Sequence, residues 1–125
     1  MNDHSDSPPD LKCFVGASDY DCSRAFYAAI GFRVNWDTGS LAELDLGGAR
    51  FLLQRYYQAD WCNNSMLHMS VASAADWHAR VQAAIDGGNF GAARVAPPKR
   101  EDYGALVTYM WDPSGVLWHL AQRLE

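Results

Sequence analysis

The feature that most constrains this chain is an order of one strand, one helix and three strands that occurs twice. In the first half, residues 11–17 read as a short strand, and a Ser-x-x-Asp helix start follows at Ser18. In the second half, residues 65–71 read as a strand, and the same helix start returns at Ser73. The chain is therefore predicted to adopt an α+β fold of two βαβββ modules, in which each helix covers one face of its sheet.

Polar residues and prolines mark the limits of the predicted domain. Residues 1–10 are polar, contain Pro8 and Pro9 and lack the apolar stretch of a signal peptide, so we expect a flexible N-terminal tail. Residues 90–95 are the least regular strand segment, and a break at Pro97-Pro98 follows them. The expected single domain, 11–125, has three parts: a first βαβββ module (11–56), an aromatic bridge (57–64) and a second βαβββ module (65–123).

Composition disfavours several classes of protein. The chain has 49% hydrophobic and 20% charged residues, and no apolar run approaches the roughly 20 residues of a membrane-spanning helix. The net charge of -5 disfavours nucleic acid as a partner and is compatible with a cationic ligand. Cys13, Cys22 and Cys62 form no CxxC pair, which predicts reduced thiols in a cytoplasmic protein. Cys62 is the one candidate for a reactive thiol, and neighbouring Asp60 disfavours its thiolate form.

A tight turn near the end of the chain joins two strands and places a histidine on one sheet face. Pro113 and Gly115 are residue types that favour a tight turn, and apolar residues alternate along the strand that follows. If Trp118 and Leu120 face the packed layer, His119 faces the other side of the sheet. That side is either solvent or a cavity, and the alternation does not distinguish the two.

Three motifs of the chain resemble those of a known family. They occur in the order Ser23-x-x-Phe26-Tyr27-x-x-x-Gly31-Phe32, Gly47-Gly48 and Asp112-Pro113-x-Gly115. With the duplicated βαβββ order they make residues 11–122 similar to the glyoxalase/bleomycin-resistance/extradiol-dioxygenase superfamily, also called vicinal oxygen chelate proteins. The resemblance implies sheets that curl into an incomplete barrel around a small-molecule cleft, often completed by a symmetric dimer. The superfamily includes lyases, dioxygenases, thiol transferases and metal-free antibiotic-binding proteins.

The resemblance also implies where a metal ion would be bound. Metal-dependent members have one ligand on the first and one on the last strand of each module. These positions fall here on Lys12, Leu52 (Leu53 with a one-residue shift), Met66 and His119. Only His119 is a good ligand for a divalent metal, and Gln54 would take part only after a two-residue slip. The chain is thus expected to have no metal cofactor and to be closest to the bleomycin-resistance-like branch.

An alternative metal site remains open at this point. His68 lies two residues beyond Met66 on the same strand face, so His68 and His119 could both point into the cleft. With Gln54 or Glu43 as a third ligand, they would form the site of a divalent-metal-dependent lyase or dioxygenase. The other interpretation is that both histidines are polar groups lining a wet pocket.

The sequence therefore predicts a binding protein rather than an enzyme, with no catalytic residue assigned. We expect it to sequester a cationic or aromatic, antibiotic-like organic molecule in the cleft between the modules. The predicted ligand-binding residues are Phe14, Gln54, Tyr56, Trp61, His68, Tyr109 and His119. Glu43 and Asp45 are either anionic contacts or exposed surface residues, and the bridge is either a ligand contact or a surface loop. A homodimer is expected because open sheet edges need cover.

Overall fold

The computed structural model describes residues 8–124 and contains two open sheets and three helices in that part of the chain. The N-terminal part of the expected tail, residues 1–7, lies outside the described residues, and residues 8–13 form neither helix nor strand. The elements in chain order are β1 (Phe14–Gly16), α1 (Tyr20–Ala29), β2 (Arg33–Asp37), β3 (Leu41–Leu46), β4 (Ala49–Gln54), α2 (Ala59–Asn64), β5 (Met66–Ser70), α3 (Ala74–Asp86), β6 (Arg94–Val95), β7 (Lys99–Glu101), β8 (Ala105–Trp111) and β9 (Leu117–Arg123).

The first sheet has the strand order β1-β4-β3-β2. β1 runs parallel to β4, with Phe14 opposite Leu52, and the other neighbours are antiparallel. The register between β2 and β3 shifts between Val34 and Trp36, which is a bulge in the edge strand. The parallel pair arises because α1 carries the chain back to the starting end of the sheet.

The second sheet repeats this arrangement with the order β5-β9-β8, and both β6 and β7 pair with β8. β5 runs parallel to β9, and His68 lies opposite His119. Pro97 and Pro98 separate β6 from β7, because proline cannot donate the hydrogen bond that a continuous strand requires. The predicted α+β fold of two βαβββ modules is confirmed, with one strand of the second module divided in two.

One of the two predicted helix starts is right and the other is displaced by one residue. Ser73 caps α3, and its side chain accepts from the N–H of Asp76 at 3.1 Å. The side chain that caps α1 is that of Asp19, not Ser18. Ser18 instead lies against the turn before β9, where its N–H donates to the hydroxyl of Ser114 at 2.9 Å.

The inner faces of both sheets and the two longer helices share one core. Phe26 and Tyr27 of α1 and Trp118 and Leu120 of β9 are buried in it, as the alternation along β9 predicts. A buried network ties α1 to the last turn: the Tyr27 hydroxyl donates to Asp112 at 2.6 Å and accepts from the indole N–H of Trp118 at 3.0 Å. The helix-free face of each sheet is thereby turned away from the core.

The bridge is partly helical, which the sequence did not predict. Its six-residue helix α2 buries Cys62 and leaves Trp61 exposed. Within the described part of the chain, no helix has the length and apolar character needed to cross a membrane.

Candidate functional site

A pocket of about 530 Å³ opens on the helix-free face of the first sheet, where the bridge passes β1 and the end of β4. We call it the aromatic pocket. Its lining residues come from these three segments: Phe14, Gly16, Gln54, Tyr56, Gln58, Trp61, Cys62 and Ser65. A concave site of this size is typical of those that hold small organic molecules.

The missing side chain of Gly16 allows the bridge to lie directly on β1. A methyl group at this position would lie 2.8 Å from the carbonyl oxygen of Tyr56 and 3.2 Å from Sγ of Cys62. The Cys62 thiol is buried and donates to the carbonyl of Gly16 at 3.7 Å. Because burial raises its pKa, this thiol is a packing group and a poor nucleophile.

Three aromatic side chains give the pocket its apolar surface. Phe14 is 60% exposed, Trp61 is 62% exposed, and Tyr56 is also exposed. The ring centroids of Tyr56 and Trp61 are 5.8 Å apart, and the rings are tilted against each other. Exposed aromatic groups gathered on a concave surface can stack on a flat ligand.

Amide and hydroxyl groups, rather than charges, supply the polarity of the aromatic pocket. The side-chain amide of Gln58 donates to the Tyr56 hydroxyl at 3.0 Å, and the amide of Gln54 also lines the wall. Among the residues that the structure describes, the lining contains no carboxylate, lysine, arginine or histidine. The pocket therefore suits a neutral aromatic group whose edge carries hydrogen-bonding atoms.

The two carboxylates predicted as possible ligand contacts are engaged within the first sheet. Oε1 of Glu43 lies 2.9 Å from Nζ of Lys12, and Oε2 accepts from Nδ2 of Asn35 at 2.8 Å. The bonds from Asn35 and Lys12 lower the pKa of Glu43. Asp45 pairs with Arg33 at 3.3 Å. Of the two alternatives for Glu43, the exposed surface residue is wrong, because Glu43 is only 7% exposed and pairs with Lys12.

The remaining predicted residues lie together on the helix-free face of the second sheet. His119 is opposite His68 on one side and opposite Tyr109 on the other, and the rings of Tyr109 and His119 are 4.8 Å apart. Nε2 of His119 is buried and has no hydrogen-bond partner within the described residues. Burial, assisted by His68, lowers the pKa of His119. Both effects favour the neutral form of the ring, and one ring nitrogen is left without a partner among the described residues.

The four positions at which the resemblance implies metal ligands do not fit a metal ion. Lys12 is in an ion pair with Glu43, which raises the pKa of its ammonium group, so it has no free electron pair for a metal. Leu52 and the exposed Met66 offer no ligand suited to a hard divalent ion. Across residues 8–124, no three His, Cys, Asp or Glu side chains lie close enough together to hold a metal. The alternative site at His68 and His119 thus has two neighbouring histidines and no third ligand of these types.

The seven predicted ligand-binding residues form two groups. Phe14, Gln54, Tyr56 and Trp61 line the aromatic pocket, whereas His68, Tyr109 and His119 lie on the second sheet. The aromatic pocket is lined by no member of the second group. Four further residues line the aromatic pocket without having been predicted as ligand contacts: Gly16, Gln58, Cys62 and Ser65. The position of Gln58 between two tyrosines and Trp61 was the available signal.

The structure resembles solved proteins more clearly than the sequence does. No family model matches the chain, and no curated protein matches it. A bleomycin-binding protein complexed with bleomycin has a TM-score of 0.77 at 18% identity, covering 93% of this chain and 99% of its own. A bleomycin resistance determinant encoded on the transposon Tn5 has a TM-score of 0.76 at 18% identity, covering 92% and 98%.

An enzyme-related neighbour has the same architecture. A glyoxalase-related enzyme from Fulvimarina pelagi has a TM-score of 0.70 at 18% identity, covering 91% of this chain and 88% of its own. At this level of identity the likeness establishes the fold and leaves the chemistry to the site. The chain therefore has the fold that bleomycin-binding proteins share with glyoxalase-related proteins, which is the fold that the sequence resemblance implied.

Proposed function

We propose that this protein binds a mid-sized, antibiotic-like organic molecule through a flat aromatic part and holds it without a metal ion. The observation that carries the proposal is the aromatic pocket, in which Phe14, Tyr56 and Trp61 are exposed around an uncharged concave surface. A neighbour of the same fold is complexed with bleomycin, which supports a ligand of this size and type. Within residues 8–124, no third His, Cys, Asp or Glu completes a metal site with His68 and His119, which supports binding over metal-dependent catalysis.

Aromatic recognition is better supported than recognition of a cation by carboxylates. Glu43 and Asp45 are already paired with Lys12 and Arg33 and do not line the pocket. A cationic group on the ligand would still be attracted to the ring face of Trp61, by about 0.5 to 2 kcal/mol when desolvated. The proposed ligand is therefore aromatic first, and a positive charge on it is secondary.

We further propose that two copies of the chain form a symmetric dimer. Phe14 and Trp36 on the first sheet and Met66 on the second are exposed on helix-free faces, and such apolar surface favours association. Contact between the first sheet of one copy and the second sheet of the other would bring His68, Tyr109 and His119 of one copy over the aromatic pocket of the other. Sedimentation at micromolar concentration is expected to give a dimer, and a monomer there would contradict this part of the proposal.

A reducing, cytoplasmic location belongs to the same proposal. All three cysteines are free, and they lie apart, before β1, in α1 and in α2. A chain whose fold uses no disulfide among its described residues has no need of an oxidising compartment.

Calorimetric titration with bleomycin and with other aromatic antibiotics tests the function. Trp61→Ala removes an exposed ring from the pocket, and we expect it to weaken binding by about tenfold or more. Tyr57→Ala is the control, because Tyr57 is also an exposed aromatic residue of the bridge but does not line the pocket. The proposal fails if no aromatic compound binds, or if both variants lose affinity equally.

A further inference from the structure

Gln54 differs from the other polar residues of the aromatic pocket because it lies on a strand that is paired on both sides. It is the last residue of β4, opposite Gly16 of β1 and Leu41 of β3. Phe51 and Leu53 of β4 are buried in the core, so the alternation along the strand turns Gln54 to the helix-free face. The side chain is half-buried and lines the pocket. Its amide group is therefore attached to a backbone position that two neighbouring strands fix.

The other amide, hydroxyl and thiol side chains of the pocket wall already have partners in the chain. Their bonds run from Gln58 to the Tyr56 hydroxyl at 3.0 Å, from Ser65 to the Trp61 carbonyl at 2.5 Å and from Cys62 to the Gly16 carbonyl at 3.7 Å. Within residues 8–124, no such bond joins the Gln54 amide to another residue. Because Gln54 is half-buried, water hydrates this amide in the free protein, and a bound ligand must replace that water.

A side-chain amide recognises an edge that carries a donor beside an acceptor. Its carbonyl oxygen accepts and its NH₂ group donates, so two parallel hydrogen bonds can form with such an edge, as they do between glutamine and adenine. No charged side chain of the described residues lines the pocket, so a charged edge would lose its hydration and gain no opposite charge. The wall therefore favours an edge that is neutral and carries both kinds of atom.

Stacking and edge recognition use different parts of a ligand. Contact with Phe14, Tyr56 and Trp61 uses the faces of a flat ring and leaves the atoms at its edge free to form hydrogen bonds. The volume of about 530 Å³ has room for a bicyclic ring system with substituents. The aromatic contacts thus contribute affinity for many flat molecules, whereas a bond to Gln54 distinguishes among them.

We propose that Gln54 selects the ligand of the aromatic pocket, and that the ligand class is flat heterocycles with a neutral donor next to an acceptor on one edge, as in a lactam. A ring without one of these two atoms would leave half of the amide without the bond that water had provided. The inference rests on the proposed function, because it concerns the same pocket, and it adds the class of ligand and the residue that recognises it.

Carbostyril and N-methylcarbostyril form a suitable pair of probes. Carbostyril is a flat bicyclic lactam whose N–H donor lies beside its carbonyl acceptor. N-methylation removes the donor and keeps the rings and the carbonyl. In titrations of the isotope-labelled full chain followed by amide NMR, the wild type is expected to bind carbostyril about tenfold more tightly than the methylated compound.

Two matched substitutions show whether Gln54 is the source of this preference. Gln54→Leu removes the amide at nearly constant size and is expected to abolish the preference, by weakening carbostyril binding about tenfold. Gln58→Leu makes the same change at a lining residue whose amide is bonded to Tyr56, and the wild-type ratio of the two affinities is expected to persist in it. A methyl group that merely clashed with the wall would instead give the same ratio in all three proteins.

The outcomes separate this inference from the proposed function. If aromatic compounds bind but the wild type does not prefer carbostyril, the inference is overturned and the proposed function stands. The same holds if the preference persists in Gln54→Leu, or if both glutamine variants lose it. If no aromatic compound binds at all, the proposed function fails and this inference fails with it.

Discussion

Replacing Tyr27 by phenylalanine should reveal how strongly α1 is tied to the last turn. The substitution removes one oxygen atom, which donates to Oδ2 of Asp112 at 2.6 Å and accepts from Nε1 of Trp118 at 3.0 Å. Asp112 is 0% exposed, so water cannot take the place of the hydroxyl. The other carboxylate oxygen keeps its bonds from the N–H groups of Ser114 and Val116, at 2.8 and 3.0 Å.

The expected loss follows from the two bonds that disappear. A hydrogen bond to a charged, buried group contributes about 1.5 to 3 kcal/mol, and the stranded indole N–H of Trp118 adds about 1 kcal/mol. Tyr27→Phe should therefore lower the free energy of unfolding by about 3 kcal/mol. Urea denaturation measures this free energy directly. An unchanged slope against urea concentration would show that the variant and the wild type expose the same surface on unfolding.

Tyr20→Phe provides a matched control in the same helix. The Tyr20 hydroxyl also donates to an aspartate at 2.6 Å, but this acceptor, Asp37, is exposed and also receives bonds from Arg24 and from the N–H of Gly39. These bonds lower the pKa of Asp37 to about 2, and the bond from Tyr20 has the largest effect. Loss of the Tyr20 hydroxyl should lower the free energy of unfolding by less than about 1 kcal/mol. Equal losses in the two variants would refute the role assigned to burial.

The pH dependence of the Tyr27→Phe loss gives an independent check. Burial raises the pKa of Asp112 above its ordinary value of 3.8, despite the hydrogen bonds that lower it. A carboxyl whose pKa is raised on folding favours the fold when protonated, and this contribution is lost as the pH rises through the folded-state pKa. The Tyr27 hydroxyl should thus matter most at a pH above the folded-state pKa of Asp112, where the carboxyl is ionised. The loss should shrink as the pH falls toward 3.8, and a loss that grows would contradict this account.

Two further substitutions test the sites themselves. His119→Phe removes Nε2, which has no partner within the described residues. Burial lowers the pKa of His119, so the neutral ring favours the folded state. This contribution to the free energy of unfolding is lost as the pH falls below 6.5 and through the folded-state pKa. The variant should match or exceed wild-type stability at pH 7 and lose less on mild acidification in thermal denaturation, and an equal acid loss would contradict this. Gly16→Ala places a methyl group 2.8 Å from the Tyr56 carbonyl, so urea unfolding should show a loss of about 1 to 3 kcal/mol, with weaker binding in the aromatic pocket. Wild-type stability in that variant would show that the bridge is not held by β1.

The fold was predictable because its signals are local. Glycines, prolines and alternating apolar residues mark where each strand ends, and the Ser73 cap needs only its own helix. The error at Ser18 has a tertiary cause, since the Ser18 hydroxyl lies 3.3 Å from that of Ser114, 96 positions further along the chain, while Asp19 caps α1. Pairing of this kind leaves no trace in a window of neighbouring residues.

The site was predictable only in part for the same reason. Phe14, Gln54, Tyr56 and Trp61 were found because aromatic and amide residues on an exposed strand face and in a bridge are unusual. Their separation from the second-sheet residues was not predictable, because sequence spacing does not state how two sheets are turned relative to each other. The close approach of the bridge to Gly16 is likewise a contact between segments far apart in the chain.

The net charge of -5 does not describe the charge around the aromatic pocket. It is compatible with a cationic ligand, yet several carboxylates are occupied by the fold: Asp19 caps α1, Asp112 holds a buried turn and Glu43 pairs with Lys12. What remains at the aromatic pocket is a lining without a charged side chain among the described residues. The charge that a ligand meets is therefore set by the side chains that line its pocket and not by the net charge of the chain.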